Sequence, residues 1–112
     1  MATAVKLFAH RGIVALPVLT RSQDTKDTVF VLEQPYLAAE ALTAAASAVS
    51  SAPATCPGNT GLLRIEVEDG KTIRYELNPP GRSVAASANS PALSGRDVLM
   101  AGGGWSISVI EA

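Results

Sequence analysis

The chain has 112 residues, 47% of them hydrophobic and 4% aromatic, and its nine basic and ten acidic residues give a formal net charge of −1. This length predicts one domain, residues 1–112, with a modest core of Val, Ile, Leu and Ala. The near-neutral charge argues against nucleic acid or a membrane surface as partner, because both require a concentrated basic surface. It also favours self-association, since little repulsion opposes it.

The cysteine content and the N-terminus indicate a cytoplasmic setting. Cys56 is the one cysteine, so no internal disulfide and no Cys-rich metal site can form. The opening residues, MATAVKLFAHRG, lack the charged region and long apolar region of a signal peptide. No stretch approaches the about 20 apolar residues of a membrane-spanning helix. No metal site or cofactor is predicted.

The first third of the chain reads as strands. Ala4–Ala9 and Ile13–Thr20 predict two strands that form a hairpin, with Pro17 at an edge or a bulge because proline lacks a ladder donor. Arg21–Asp27 is charged and predicts an exposed loop. Thr28–Glu33 is apolar at both alternating positions, which predicts cover on both faces and a central place in the sheet.

Gln34–Ser51, QPYLAAEALTAAASAVSS, predicts the main helix. Pro35 suits a first helical turn, and the following residues are strong helix formers led by alanine. Ala52–Pro53 would end the helix, because the residue before a proline disfavours helical angles. The apolar residues recur at helical spacing and are mostly methyl-sized, so that a partner surface can approach closely: Leu37, Ala38, Ala41, Leu42, Ala45, Ala48 and Val49.

Leu62–Asn78, LLRIEVEDGKTIRYELN, gives the clearest strand pattern. A three-residue loop, Glu68–Gly70, with Gly70 in the left-handed conformation, predicts a hairpin. Its register places Ile65 opposite Ile73. The face predicted to lie under the helix consists of Leu63, Ile65, Val67, Ile73, Tyr75 and Leu77. The face predicted to lie in water consists of Arg64, Glu66, Thr72, Arg74 and Glu76.

The C-terminal third predicts a mobile loop over 78–95 and then two alternatives. Ser94–Asp97 resembles a capping box that would open a short helix through Ala101, but residues 98–101 could instead be a strand. Gly102–Gly104 predicts a flexible turn. Trp105–Glu111, WSISVIE, alternates apolar and polar residues and predicts a half-buried strand docked into the sheet.

The residues that could carry chemistry lack the partners that chemistry requires. His10 has no neighbouring acid in the sequence, so we expect a solvated turn residue rather than a general base. Cys56 could pair with His10 as nucleophile and base, but no family signature surrounds it, and a partly buried loop thiol is expected. The Gly102–Gly104 run lacks the spacing and the lysine of a phosphate-binding loop.

Five residues are candidates for binding. Arg11, Arg82 and Arg96 lie in or beside predicted loops and would form an anion site if those loops clustered. Tyr36 and Trp105 are candidates for contact surfaces because aromatic residues are enriched in binding hot spots, although Trp105 also suits the core.

Together these patterns predict an α+β fold: an antiparallel sheet of about five strands with one main helix, Pro35–Ser51, on one face. Two functions fit. The first is a non-enzymatic interaction protein, either a homo-oligomer such as a homodimer or an inhibitor or adaptor of a protein partner. The second is a small-molecule binding module or minimal enzyme with a pocket between helix and sheet.

Overall fold

The computed structural model describes residues 2–19, 26–33, 35–51 and 56–112, and for 14–19 and 26–30 it describes the backbone. These residues form ten strands: β1 (Thr3–His10), β2 (Ile13–Leu19), β3 (Lys26–Leu32), β4 (Ala38–Ala44), β5 (Val49–Ser50), β6 (Leu62–Val67), β7 (Thr72–Asn78), β8 (Ala92–Ser94), β9 (Arg96–Met100) and β10 (Ser106–Glu111). Within those ranges there is no helix.

Two antiparallel sheets of four strands form a sandwich, and the remaining two strands form a separate ribbon. The first sheet has the order β4-β1-β6-β9, the second has the order β5-β10-β7-β8, and β2 pairs with β3. The predicted α+β class, with one helix on a five-stranded sheet, is therefore wrong: the described chain is all-β. No helix in the described part is long and apolar enough to cross a membrane.

The segment predicted to be the main helix forms β4 and β5 instead. Its apolar stripe has helical spacing, but β4 also alternates: Ala38, Glu40 and Leu42 are half-buried, while Ala39, Ala41 and Thr43 are exposed. Alanine carries little pattern of its own, and helix propensity is a weak prior that tertiary contacts override. Here β4 pairs along the whole of β1, from Thr3–Ala44 to Ala9–Ala38, and so satisfies one edge of that buried strand. Gln34, the first residue of the predicted helical segment, and its predicted stop, Ala52–Pro53, lie outside the described residues.

The predicted hairpin of β6 and β7 is an arch between the two sheets. β6 pairs with β1 and β9, whereas β7 pairs with β10 and β8. Gly70 has the expected positive φ of 75° in the turn. The apolar face was identified correctly because alternation determines which residues face a core, whether the two strands pair side by side or face each other. The polar residues divide between the outer faces of the two sheets.

The core lies between the sheets. Its fully buried large residues are Val5, Leu7, Leu63, Ile65, Ile73, Ile107 and Val109. They come from the four central strands, two in each sheet, so both sheets contribute. The chain passes between the sheets at both margins, through residues 45–48 from β4 to β5 and through Gly95, with φ of 71°, from β8 to β9.

The C-terminal third confirms two predictions and corrects others. Residues 96–100 take the strand alternative as β9, and β10 lies between β5 and β7 as a docked strand. The helix opened by Ser94–Asp97 is wrong. Ala92–Ser94, within the predicted loop, is strand β8. Residues 79–91, which we call the strap, connect β7 to β8.

The β2–β3 ribbon, which we call the arm, corrects the predictions for the first third. β1 does not pair with β2 as a hairpin, and β3 is not central in a sheet. Of the predicted exposed loop, Lys26 and Asp27 belong to β3, and 21–25 lie outside the described residues. The radius of gyration is 16.0 Å, against about 13 Å for a compact domain of this length. The molecule is elongated, with extents of 54 × 32 × 21 Å.

Candidate interaction site

In the sequence of the arm, the odd-numbered and the even-numbered residues are both largely apolar. β2 reads IVALPVL and β3 reads KDTVFVL, and their register pairs Ile13 with Leu32 and Val14 with Val31. Because successive residues alternate sides, Ile13 and Val31 lie on opposite sides of the ribbon. Ile13 is 56% exposed and Val31 is 39% exposed. At its base, therefore, the arm exposes apolar surface on both sides.

The arm continues the β1–β4 pair of the first sheet through a bent segment. Between the pairs Ala9–Ala38 and Ile13–Leu32, three residues on one strand (10–12) lie opposite five on the other (33–37). We call residues 11–12, 33 and 35–37 the junction. The Glu33 N–H donates to the Gly12 carbonyl (2.8 Å), and the Leu37 N–H donates to the Ala9 carbonyl (2.7 Å).

His10 is buried in the sandwich and forms a hydrogen bond to the junction. It ends β1 and is fully buried, which corrects the expected solvated turn residue. Its Nδ1 lies 3.0 Å from the Glu33 carbonyl oxygen. Since a carbonyl can only accept, Nδ1 carries the proton. Nε2 is buried and has no hydrogen-bond partner among the described residues. His10 therefore positions the return strand of the arm.

Tyr36 lies at the outer surface of the junction. Its ring is 46% exposed. It packs edge-on against Phe8, with ring centroids 5.2 Å apart, and against His10, at 6.5 Å. The Arg64 guanidinium lies over the Phe8 ring, 4.3 Å from its centroid. These contacts hold an exposed aromatic ring in one orientation, which reduces the entropy lost when a partner covers it.

The outer side of the first sheet carries more apolar surface. A shallow groove of about 210 Å³ runs beside β4 and is lined by Lys6, Phe8, Ala39, Glu40 and Ala41. Its small alanine side chains allow another backbone to approach closely. At the opposite margin of the sheet, Val98 is exposed and Met100 is 80% exposed.

The three candidate arginines do not converge on one anion site. Each faces a different glutamate: Arg11 faces Glu33 at the junction (3.7 Å), Arg82 faces Glu76 on the second sheet (3.1 Å), and Arg96 faces Glu66 on the first sheet (3.7 Å). Since these glutamates lie at separate places in the fold, the loops did not cluster as the anion site required. Arg82 also donates to the Leu77 carbonyl (2.7 Å).

The Cys56 thiol and the glycine run are packing features in this structure. Cys56 is buried, and burial, followed by the nearby Glu40 carboxylate, raises the pKa of its thiol. A raised pKa lowers the fraction of reactive thiolate. The Gly104 N–H donates to the Cys56 carbonyl (2.7 Å). A Cβ on Gly103 would lie 2.6 Å from the Gly58 Cα. Trp105 is half-buried against the core.

The strap is bonded across the outer face of the second sheet. Asn78 makes two bonds to Val84: its Nδ2 donates to the Val84 carbonyl (3.0 Å), and its Oδ1 accepts from the Val84 N–H (3.2 Å). The buried Ser108 Oγ accepts from the Ala86 N–H (3.0 Å). Ser90 donates to Glu76 (2.7 Å). The predicted mobile loop thus has side-chain anchors along its length.

The arm is the candidate interaction element that sequence reasoning missed. Its signal was present: Thr28–Glu33 is apolar in both alternations, which predicts cover on both faces. The cover was assigned to neighbouring strands of the same chain, and no such strand is described. Phe8, Arg64, Val98 and Met100 were also missed, because their grouping depends on the pairing of β1, β6 and β9.

The chain matches no family model, and comparisons with curated proteins and with solved structures give no significant match.

Proposed function

We propose that this chain is a non-enzymatic interaction protein whose arm is buried against another protein molecule. The observation that carries the proposal is the exposure of Ile13 and Val31 on opposite sides of one ribbon. A two-stranded ribbon is marginally stable in water by itself. One that is apolar on both sides therefore requires cover that the described part of the chain does not supply.

Other features support this reading. The net charge of −1 opposes close approach of another protein only weakly. The fixed Tyr36 ring adds an aromatic contact at the root of the arm. The pocket expected between a helix and the sheet is not supported, because the described residues contain no helix. We propose the cytoplasm as the compartment, supported by the unpaired Cys56, which cell fractionation would check.

Photo-cross-linking tests the proposal in cells that produce the full-length chain. Ile13 is replaced by the photoreactive amino acid p-benzoylphenylalanine in one variant, and Val84 of the strap in a matched control, since Val84 is also exposed at 41%. We expect a discrete protein adduct from position 13 and none from position 84. No adduct from position 13 of a folded protein, or equal adducts from both positions, would refute the proposal.

A further inference from the structure

The structure assigns the arm's partner: we infer that it is a second copy of this chain, paired edge to edge along β3 and β4 about a two-fold axis at the junction. This inference rests on the proposed function and names its partner.

The outer edge of β3 can accept another strand, whereas that of β2 cannot. The Glu33 N–H donates to the Gly12 carbonyl, so residues 12 and 33 form a hydrogen-bonded pair. Hydrogen-bonded and non-hydrogen-bonded pairs alternate along an antiparallel ladder, so the pair Pro17–Thr28 is non-hydrogen-bonded. The Pro17 nitrogen therefore points away from β3 and leaves the β2 edge without a donor there. On β3 the outward backbone groups belong to residues that all have an N–H: Lys26, Thr28, Phe30 and Leu32.

Among the described residues, no strand pairs with the outer edge of β4. The Glu68 N–H donates to the Ala4 carbonyl (3.0 Å), so even-numbered positions of β1 face β6 and odd-numbered positions face β4. The same alternation points the backbone groups of Ala39, Ala41 and Thr43 outward. β4 is the terminal strand of its sheet as described. Its small side chains provide little of the charge or bulk that normally protects an edge.

These two edges form one interrupted edge on the same side of the ribbon. β1 leads into β2 and β3 leads into β4, so the outer edges of β3 and β4 follow each other across the junction. Each strand has seven residues. When two copies of this edge run antiparallel about the junction, β3 of each copy lies along the whole of β4 of the other. An isologous contact of this kind closes into a dimer.

The charges along residues 26–44 fit this pairing. Four charged residues lie there: Lys26, Asp27, Glu33 and Glu40. A two-fold placement of Leu32 opposite Leu37 or Ala39 of the other copy sets each of the four opposite an uncharged residue. Like charges directly opposite each other would be destabilising, and this alignment avoids them.

The two-fold arrangement favours a closed dimer over a head-to-tail contact. Each dimer contains the β3–β4 contact twice, once for β3 of each copy. A head-to-tail contact would form it once and leave a free edge at each end.

Proline substitutions test the edge assignment on the full-length chain. Thr28→Pro and Ala41→Pro each remove an outward N–H from the proposed interface, whereas Ala15→Pro removes one from the opposite edge, beside Pro17. Sedimentation equilibrium should show a wild-type dimer. We expect the two interface variants to raise its dissociation constant by about a hundredfold and the Ala15→Pro control to leave it nearly unchanged. Equal effects of all three variants would contradict the assignment.

Cysteine cross-links test the register independently of stability. Opposed positions in a hydrogen-bonded antiparallel pair lie about 5.5 Å apart at Cα, within disulfide range. Either the pair Thr28→Cys with Thr43→Cys, or the pair Thr28→Cys with Ala41→Cys, should give a covalent dimer on mild oxidation, while Thr28→Cys alone should not. A wild type that is monomeric at all concentrations, or an open-ended polymer, overturns this inference. The proposed function fails separately, if photo-cross-linking at position 13 captures no protein at all.

Discussion

The His10 imidazole donates from Nδ1 to the Glu33 carbonyl oxygen at 3.0 Å, across the base of the arm. The last residue of β1 thereby holds the segment through which the arm returns to the sandwich. The ring is fully buried, and its bond to Glu33 is partly buried. The direction in which the arm leaves the sandwich depends on this contact and on the neighbouring backbone bonds at Gly12 and Ala9.

His10→Ala should therefore both destabilise the fold and loosen the junction. Removal of a buried ring and of the donor to Glu33 should lower the free energy of unfolding by about 3 kcal/mol. The Glu33 and Leu37 amides should exchange with deuterium faster than in the wild type. Denaturant unfolding and hydrogen exchange measure the two effects.

His10→Asn is the matched control, because its amide nitrogen can donate from nearly the position of Nδ1. We expect it to lose packing energy but to retain most of the protection at Glu33 and Leu37. Equal loss of protection in both variants would show that the bond to Glu33 does not position the junction.

Gly61→Ala should destabilise the chain at the other side of the junction. The Gly61 N–H donates to the His10 carbonyl (2.9 Å), and a Cβ at this position would overlap the Arg11 carbonyl oxygen. Because both groups are backbone, relief requires a shift of the chain, and we expect a cost of about 2 kcal/mol. Denaturant unfolding measures it. Gly58→Ala is the control, since nothing lies within 4 Å of its Cβ position; a similar cost there would contradict the steric explanation.

Asn78→Ala should release the middle of the strap. The substitution removes both bonds to Val84 from a buried side chain. The exposed Val84 backbone can bond to water instead, so we expect a loss of about 1 kcal/mol, at the low end for buried polar contacts. The Val84 and Ala86 amides should exchange faster. Asn89→Ala, at an exposed position of the same strap, should leave both amides unchanged; faster exchange in that control would argue that the strap is not anchored by Asn78.

Acid should weaken the other anchor of the strap. A hydrogen bond from Ser90, followed by the bond from Arg82, lowers the pKa of the Glu76 carboxyl. A lowered pKa in the folded state means that ionised Glu76 stabilises the fold at neutral pH, and that this contribution is lost as the pH falls through the lowered pKa. Arg74 also contacts this anchor and donates to the Ser90 carbonyl (2.7 Å).

The difference in unfolding free energy between wild type and Glu76→Gln should therefore shrink in acid. Denaturant unfolding of both proteins at neutral and acidic pH measures it. Ser90→Ala should raise the pKa of Glu76 in an NMR titration, because it removes the largest cause of the shift. A difference that is independent of pH, or an unchanged titration, would refute this account of the strap.

Local patterns predicted correctly which residues face the core in several strands. The alternation in Leu62–Val67 and Thr72–Asn78 identified Leu63, Ile65 and Ile73 as buried, and the same held for Ile107 and Val109. Burial follows from alternation within a strand, which is a property of a few consecutive residues. Which strands pair with each other does not follow from alternation, because the alternation is the same for two strands that pair side by side and for two that face each other across the core.

The sequence by itself determined the alternating apolar strands, the left-handed turn at Gly70 and the apolar character of Thr28–Glu33 at both alternating positions. Only the tertiary structure decided that Ala38–Ala44 is a strand, because pairing along β1 outweighs the helix propensity of its alanines, and tertiary contacts override such local propensity. It also decided that β6 and β7 lie in different sheets and that His10 is buried at the junction. These outcomes depend on contacts between residues far apart in the chain, which no local pattern encodes.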